Sequence, residues 1–172
     1  MHEAIRVELC ETLRRMAAGG LVQGTEGNAS ARAGELIAVS PTALPYATLR
    51  AEDVCLVTPA GDLVEGSKPS VELPLHLAVL GARRAVGAVV HTHSPRATAR
   101  PPVPVAEGVS GTTELGVAVL AAAGEGDAVV IRGHGPVCFG ADLEAALARA
   151  FALEEAARLG GGDRPADDER SP

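Results

Sequence analysis

Two of the five histidines of the chain stand two positions apart, in the segment VVHTHSPRAT at residues 89–98. His91 and His93 follow a short apolar run, which predicts that they end a buried strand. Side chains two positions apart on a strand point to the same face of a sheet, so both imidazoles are expected to face one way. Such a pair can supply two ligands of a metal site, or it can be an ordinary polar pair at a strand end.

A third histidine, His134, follows another apolar run and lies between Gly133 and Gly135 in the segment VVIRGHGPVCFG at residues 129–140. Glycine permits tight turns and close approach of two backbone segments. If the two strand ends converge, three imidazoles can bind a zinc-like ion and leave one coordination position open, which is typical of catalytic zinc sites. Imidazole also binds other transition metals, so the residue types alone do not identify the ion.

Glu72 and His76 stand four residues apart in KPSVELPLHLAV at residues 68–79, a segment that reads as a helix. This spacing places two side chains on the same helical face. A carboxylate near a metal can move a substrate proton, whereas an acid at a helix start is also favoured by the helix dipole alone. We interpret His76 as a partly buried structural histidine.

Short strands and helices that alternate along the chain must position these residues. This alternation predicts a layered α/β architecture. The apolar periodicity and the turn residues predict helices at 3–18, 68–84 (with Ser70 as N-cap), 112–123 and 142–159, two strands within 28–40, and strands at 86–93 and 127–132.

Length, charge and hydropathy narrow the class of protein. The 172 residues fit one domain, which we expect over residues 1–160, followed by a polar tail over 161–172 that we expect to be disordered. A net charge of −7 without a long basic run argues against a nucleic-acid partner. No apolar run reaches the roughly 18 residues of a membrane span, and the first residues lack the apolar core of a signal peptide. We therefore expect a soluble cytoplasmic protein.

Five segments occur in the order found in one protein family. They are GTEGNASAR (24–32), SPTALPY (40–46), KPSVELPLHLAV (68–79), VGAVVHTHSPRATA (86–99) and RGHGPV (132–137). From the first helix to about residue 159 the chain resembles the class II aldolase/adducin family, whose best-known enzyme is L-fuculose-phosphate aldolase. The resemblance implies a three-layer α/β/α sandwich with a mostly antiparallel central sheet. It also implies a homotetramer with active sites near the subunit interfaces.

The resemblance assigns roles to the residues singled out above. His91, His93 and His134 match the ligands of a divalent metal, most often Zn²⁺, with Mn²⁺ or Co²⁺ as alternatives. Glu72 matches the catalytic carboxylate, and a glutamate at this position is typical of the aldolases rather than of the related epimerases. The implied function is that of a metal-dependent carbon–carbon lyase, an aldolase that acts on a small hydroxy-carbonyl or sugar-phosphate-like substrate through a metal-stabilised enediolate.

The segments that hold phosphate in the family are altered here. Ala43 stands in place of a glycine, and Val71 in place of a serine, so that a hydroxyl donor is lost. A hydrogen bond to a charged group contributes about 1.5–3 kcal/mol. The residues that remain to bind a phosphate, or a smaller anion such as a carboxylate, are Thr25, Asn28, Thr42 and Ser70. The same residue types also shape turns and caps without any ligand.

The segment after His93 is shorter than in the family's aldolases and lacks their proton-donating tyrosine. Tyr46 is the only tyrosine of the chain, and we interpret it as a loop-packing residue. These departures leave open a metal-dependent decarboxylase of a hydroxy or aromatic acid, and a dehydratase or epimerase. A non-enzymatic binding module, like the adducin head domain, is a further alternative, although retention of Glu72 and the three histidines argues against it.

Overall fold

The computed structural model describes residues 2–160, so the tail predicted at 161–172 lies outside the described residues. A 3-10 turn covers Ala51–Asp53. The helices are α1 (Glu3–Ala18), α2 (Leu73–Ala82), α3 (Pro95–Ala99), α4 (Thr113–Ala123) and α5 (Leu143–Leu159). Over this part of the chain, no helix combines the length and the apolar character needed to cross a membrane.

The strands form one sheet in the order β4-β3-β2-β1-β5-β8-β7-β6. Every neighbouring pair is antiparallel except β6 and β7. This arrangement confirms the mostly antiparallel central sheet. The strands are β1 (Asn28–Ala33), β2 (Leu36–Val39), β3 (Cys55–Val57), β4 (Leu63–Glu65), β5 (Ala88–His91), β6 (Val105–Ala106), β7 (Ala128–Ile131) and β8 (Gly135–Gly140).

Two apolar layers lie on opposite faces of the sheet and contain the helices. Val90 of β5 belongs to the layer that includes Leu13 of α1 and Leu147 of α5. Its neighbour Val89 belongs to the other layer, with Val79 of α2. Because successive strand residues face opposite sides of a sheet, this alternation fixes the three-layer α/β/α sandwich. It also places the side chain of His91, two residues after Val89, on the face that α2 covers.

The helix predicted at 68–84 is shorter than expected. It begins at Leu73 and ends at Ala82, and Glu72 occupies the N-cap position without a capping side-chain bond. The prediction of Ser70 as N-cap is wrong. Its Oγ instead accepts the backbone N–H of Glu72 at 3.2 Å, within the turn that precedes the helix. Pro74 lies in the first helical turn, where a missing N–H costs little.

Strand β5 also ends earlier than predicted, at His91. The next two N–H groups leave the pattern of the strand: Thr92 donates to the carbonyl of Pro136, and His93 donates to the carbonyl of Leu21, each at 3.0 Å. His93 therefore lies just beyond the strand rather than on it. The backbone nevertheless directs both imidazoles to the same place.

Candidate active site

The three histidines singled out in the sequence come together at the central strands. His91 ends β5, His93 follows it, and His134 lies in the turn between β7 and β8. Their ring centroids are 4.5–5.1 Å apart, and one nitrogen of each ring lies within 4.8 Å of the others. The convergence of the two strand ends arises because β8 pairs with β5 in the sheet.

Gly135 allows the turn that carries His134 to approach β5. A Cβ atom at Gly135 would lie 1.9 Å from the carbonyl oxygen of Thr92, far inside van der Waals contact. The residue also has a φ of 154°, a value that side-chain-bearing residues rarely adopt. The glycine is therefore required for His134 to lie beside His91 and His93.

Hydrogen bonds orient two of the rings for metal binding. His91 Nδ1 lies 2.9 Å from the carbonyl oxygen of Pro136, which can only accept, so this nitrogen carries the proton and Nε2 keeps its lone pair. His93 Nδ1 lies 3.4 Å from a carboxylate oxygen of Glu26, which favours the same tautomer. Burial lowers the pKa of His91 to about 4 and that of His93 below its usual range. Both rings are therefore neutral at neutral pH, as metal ligation requires.

The spacing of the ring nitrogens fits a first-row divalent ion. Two nitrogen ligands, each about 2.0–2.1 Å from a tetrahedral zinc ion, lie about 3.3–3.4 Å from one another. His91 Nε2 and His134 Nε2 are 3.5 Å apart. The three imidazoles leave at least one coordination position for a ligand that is not protein, so this donor set fits a catalytic metal.

Glu72 lies against this cluster at the start of α2, and its side chain is buried. Its Oε2 atom is 3.2 Å from His91 Nε2, and its Oε1 atom is 3.9 Å from His134 Nδ1. Asn28 Nδ2 donates a hydrogen bond to Oε2 at 2.7 Å, and Ser110 Oγ donates one to Oε1 at 2.5 Å. Both carboxylate oxygens thus have a donor from outside the histidine cluster.

The carboxylate of Glu72 is ionised at neutral pH. Burial raises its pKa, but the charge of His91 and the hydrogen bonds from Ser110 and Asn28 outweigh burial and hold the pKa well below its usual range. His91 is itself uncharged above about pH 4. The donors Ser110 and Asn28 are therefore what stabilise the anion at neutral pH.

Three site residues were not assigned these roles from the sequence. Ser110 lies in the Pro/Gly-rich connection after His93, where the sequence gives no signal for a contact with Glu72. Glu26 lies in a turn before β1. His76 is fully buried, rather than partly buried as expected, and its Nε2 lies 2.5 Å from Asn28 Oδ1. The four-residue spacing between Glu72 and His76 was the available signal for their common face.

The predicted anion-binding residues are only partly brought together. The N–H of Thr42 donates to Lys68, and that of Ser70 donates to Ser40, so the loops 40–43 and 68–71 lie side by side. Asn28 is buried, with its side chain bonded to Glu72 and His76. Thr25 is exposed in the turn before β1. The anion-binding role of these four residues stays a prediction.

Ala43 and Val71, the two altered positions of these loops, have different structural consequences. Ala43 has a φ of 58° and is the one non-glycine residue with positive φ in the described part of the chain. The loop has therefore kept a conformation that favours glycine, at a cost of roughly 1–2 kcal/mol. Val71 is 62% exposed although it stands between the buried residues Ser70 and Glu72. An apolar side chain is consequently exposed immediately before Glu72 in the chain.

Tyr46 is buried and packs against the turn before β1. Its hydroxyl lies 2.6 Å from the carbonyl oxygen of Gly27 and 3.0 Å from that of Glu26. Burial raises the pKa of this hydroxyl well above its usual value. The hydroxyl already donates its proton to the turn before β1, so it is not available to a substrate.

Comparison with known proteins places this chain in a family. The model of the class II aldolase and adducin N-terminal domain matches residues 7–101 and 99–160. The chain belongs to the class II aldolase/adducin family. The resemblance read from the five sequence motifs is thereby confirmed, and the family supports assignment of the chain as a lyase.

Relatives of the class II aldolase/adducin family carry several activities. A 5-methylthioribulose-1-phosphate/5-deoxyribulose-1-phosphate aldolase of Rhodospirillum rubrum is 34% identical over 174 aligned positions, covering 90% of this chain and 79% of that protein. The structure of an L-fuculose 1-phosphate aldolase has a TM-score of 0.87 at 26% identity, over 92% of this chain and 85% of that one. YgbL of Klebsiella pneumoniae has a TM-score of 0.86 at 29% identity, covers 96% and 93%, and is described with three candidate activities, as an aldolase, epimerase or decarboxylase.

Proposed function

We propose that the chain is a metal-dependent aldolase that forms or cleaves a carbon–carbon bond in a small hydroxy-carbonyl substrate. The observation that carries the proposal is the placement of the buried, ionised carboxylate of Glu72 against a cluster of three imidazoles, 3.2 Å from Nε2 of His91. A base beside a metal site is what proton removal next to a carbonyl requires. The family's aldolases support this choice among carbon–carbon lyases.

Glu72 is the residue that we propose moves the substrate proton. In the direction of bond formation it takes a proton from the carbon next to the carbonyl. The enediolate formed then attacks the carbonyl carbon of an aldehyde, and the aldehyde oxygen takes up a proton from water to become a hydroxyl. In cleavage it returns that proton to the same carbon. Oε2 is held by buried Asn28, whereas Oε1 is bonded to exposed Ser110, so Oε1 is the atom from which a proton can reach solvent or substrate.

His91, His93 and His134 are the residues that would hold the metal. A divalent cation there would supply a Lewis acid for the oxygens of the substrate, which lowers the energy of a developing oxyanion by several kcal/mol. Zn²⁺ is our first choice, because three neutral imidazoles and an open position are typical of catalytic zinc; Mn²⁺ and Co²⁺ remain alternatives. The chain's part is to keep His91 and His93 neutral through burial and to orient their rings through Pro136 and Glu26.

The substrate that we propose carries an anionic group, as the sugar-phosphate substrates of the named relatives do. We propose that the loops 40–43 and 68–71 hold this group. Thr42 and Ser70 lie on these neighbouring loops. Val71 offers no hydroxyl, so the anion receives fewer donors than a phosphate site of the family provides. A sugar-phosphate-like ketose with a weakly held anion, or a hydroxy-carbonyl with a carboxylate, fits this arrangement.

A decarboxylase of a hydroxy or aromatic acid is the second candidate. The exposed apolar side chain of Val71 favours it, because loss of carbon dioxide needs no phosphate site, and the carbanion left behind requires the same stabilisation as an enediolate. Tyr46, the only tyrosine of the chain, is buried with its hydroxyl bonded to backbone. The candidate therefore also accommodates a site without a tyrosine proton donor.

A homotetramer is our proposal for the assembly, as the family resemblance implies. Exposed apolar side chains support contacts between copies of the chain, because large apolar residues on a surface mark interaction sites when they are contiguous. Leu63 and Val64 are exposed on β4, which ends the sheet. The active sites of such an assembly would lie near its subunit interfaces.

Exchange of substrate hydrogen in heavy water tests the proposed function. Dihydroxyacetone phosphate incubated with the zinc-loaded protein should gain deuterium on the carbon next to its carbonyl, and Glu72→Gln should abolish this exchange while keeping the metal. Glu114→Gln, at an exposed position of α4, is the matched control and should exchange normally. Release of carbon dioxide from a hydroxy-acid panel without any exchange would favour the decarboxylase. A protein that catalyses neither exchange nor decarboxylation would overturn both candidates.

A further inference from the structure

Four buried polar side chains form a continuous line from β1 to Glu72. Ser30 Oγ lies 2.7 Å from His76 Nδ1, His76 Nε2 lies 2.5 Å from Asn28 Oδ1, and Asn28 Nδ2 lies 2.7 Å from Glu72 Oε2. Ser30 and His76 are 0% exposed, and Asn28 is 4% exposed. Buried polar groups without partners are costly, but here each one is bonded to the next.

Two periodicities bring the four residues together. Asn28 and Ser30 are two apart on β1, so they share one face of the sheet. Glu72 and His76 are four apart at the start of α2, so they share one face of the helix. α2 packs on that face of the sheet, and β1 pairs with β5 so that Asn28 stands beside His91. The line of side chains therefore ends next to the histidine cluster.

The direction of every hydrogen bond in this line follows from the carboxylate of Glu72 at one end. The carboxylate of Glu72 can only accept, so the amide of Asn28 must present its nitrogen to Glu72 and its oxygen to His76. His76 must then donate from Nε2, which leaves Nδ1 to accept the hydroxyl proton of Ser30. This requires the neutral Nε2–H tautomer of His76, and burial lowers the pKa of His76 to about 4, which keeps the ring neutral at neutral pH.

A serine, a histidine and an amide in line also occur in nucleophilic sites, but this line cannot act as one. Its serine hydroxyl would have to reach a substrate, and Ser30 is fully buried in the central strand β1. Its proton is also directed to His76, and the far end of the line is a carboxylate at the histidine cluster. The line therefore acts on Glu72 rather than on a substrate of its own.

We propose that His76 is a positioning residue for Glu72. By donating to Oδ1 it prevents the amide of Asn28 from turning over, and so keeps Nδ2 directed at the carboxylate. Without this donor the amide can turn and present its oxygen to Glu72, which repels the carboxylate from its place beside the cluster. The inference rests on the proposed role of Glu72, because it explains how that carboxylate is held.

Substitution of His76 tests the inference by kinetics. His76→Leu removes both hydrogen bonds and should lower kcat for deuterium exchange by about tenfold to a hundredfold. This is the range measured for residues that orient a metal ligand through a hydrogen bond. Bound zinc and KM should stay unchanged. His76→Gln can still donate to Asn28, and it should recover most of the loss. An unchanged kcat in His76→Leu, or equal losses in the leucine and glutamine variants, would overturn the proposal.

Two further variants guard against a folding defect. Ser30→Ala removes only the far hydrogen bond and should give a smaller loss of kcat than His76→Leu. Thr12→Val removes a buried hydroxyl of α1, which is bonded to Glu8 within its own helix, and should leave kcat unchanged. In an Asn28→Ala background, where the amide that His76 holds is gone, His76→Leu should cause no further loss of kcat, because residues that act through one another are not additive. Full additivity there would contradict the positioning role.

A spectroscopic measurement does not depend on activity. Nitrogen-15 correlation spectra of the histidine rings should show the neutral Nε2–H tautomer for His76 at pH 7, assigned by its loss in His76→Gln. The Nδ1–H tautomer would overturn the inference. An active wild-type protein whose kcat is insensitive to His76 refutes this inference alone. The Nε2–H tautomer in a protein that is inactive on every probe refutes the proposed function while the hydrogen-bond line stands.

Discussion

Oε2 of Glu72 lies 3.2 Å from Nε2 of His91, and both side chains are buried. Burial keeps the imidazole neutral, while the donors Asn28 and Ser110 keep the carboxylate ionised. A net negative charge is therefore buried beside the neutral imidazole of His91. Because a buried charge is costly without a partner of opposite sign, this arrangement favours a cation at the cluster.

Substitution of Gly135 should damage the site through the backbone. A Cβ atom there meets the carbonyl oxygen of Thr92 at 1.9 Å, so Gly135→Ala must displace the turn that carries His134. We expect a loss of zinc affinity of at least about tenfold, together with a lower free energy of unfolding by on the order of 1–3 kcal/mol. Calorimetric zinc titration and urea unfolding measure the two effects.

Gly81→Ala is the matched control for this substitution. A Cβ atom at Gly81 of α2 meets nothing within 4 Å, and alanine is a better helix former than glycine by up to about 1 kcal/mol. The control should bind zinc as the wild type does. Wild-type zinc affinity in Gly135→Ala would mean that the close approach of the two strand ends does not build the site.

Restoration of a hydroxyl at position 71 should change which substrates are preferred. Val71→Ser, combined with Ala43→Gly, adds a donor and relieves the left-handed backbone at Ala43. One further hydrogen bond to a phosphate is worth about 1.5–3 kcal/mol, so kcat/KM for a phosphorylated ketose should rise by roughly tenfold or more. The same ketose without phosphate should be unaffected, and an equal change for both substrates would contradict the anion-binding role of these loops.

Removal of the Tyr46 hydroxyl should leave catalysis intact. Its proton is directed to the backbone of the turn at Gly27, away from any substrate. Tyr46→Phe should therefore keep its kcat and lose about 1 kcal/mol of unfolding free energy, the usual contribution of one hydrogen bond. A fall in kcat of tenfold or more in a folded variant would assign Tyr46 a direct role in the reaction.

Stability should fall as the pH is lowered from 6.5 to about 4, partly because of His76. Its pKa is lowered by burial from 6.5 to about 4 in the folded chain, so in this window the unfolded chain binds more protons than the folded one. The contribution present above pH 6.5 is on the order of 3 kcal/mol and is lost as pH falls. Urea unfolding of metal-free protein at pH 7 and pH 5 should show a smaller difference for His76→Gln, and an equal difference would contradict a neutral buried His76.

The histidine cluster was predictable because short-range rules determine it. His91 and His93 follow an apolar run, His134 follows another between glycines, and adjacent strand ends in a layered fold tend to converge. The helices at 3–18, 112–123 and 142–159 were also predicted to within one residue, because each has a clear apolar periodicity and a turn residue at its ends. The shared face of Glu72 and His76 could likewise be read from their spacing.

The partners of Glu72 were not predictable because they depend on tertiary packing. Ser110 lies 38 residues from Glu72 and contacts it only through the path of a Pro/Gly-rich loop. Asn28 contacts Glu72 because β1 lies beside β5, an order that no local pattern reveals. Strand β8 was missed because GPVCFG carries glycine and proline, which usually indicate a turn.

Metal binding by the unmodified protein tests the account most directly. Calorimetric titration of metal-free wild type should show one equivalent of tightly bound zinc, His134→Ala should lose this binding, and Glu72→Gln should retain it, because the three imidazoles that would hold the metal remain. If the wild type binds none of zinc, manganese and cobalt, or if His134→Ala binds zinc as tightly as the wild type, the three histidines do not form a metal site and the proposed lyase chemistry fails.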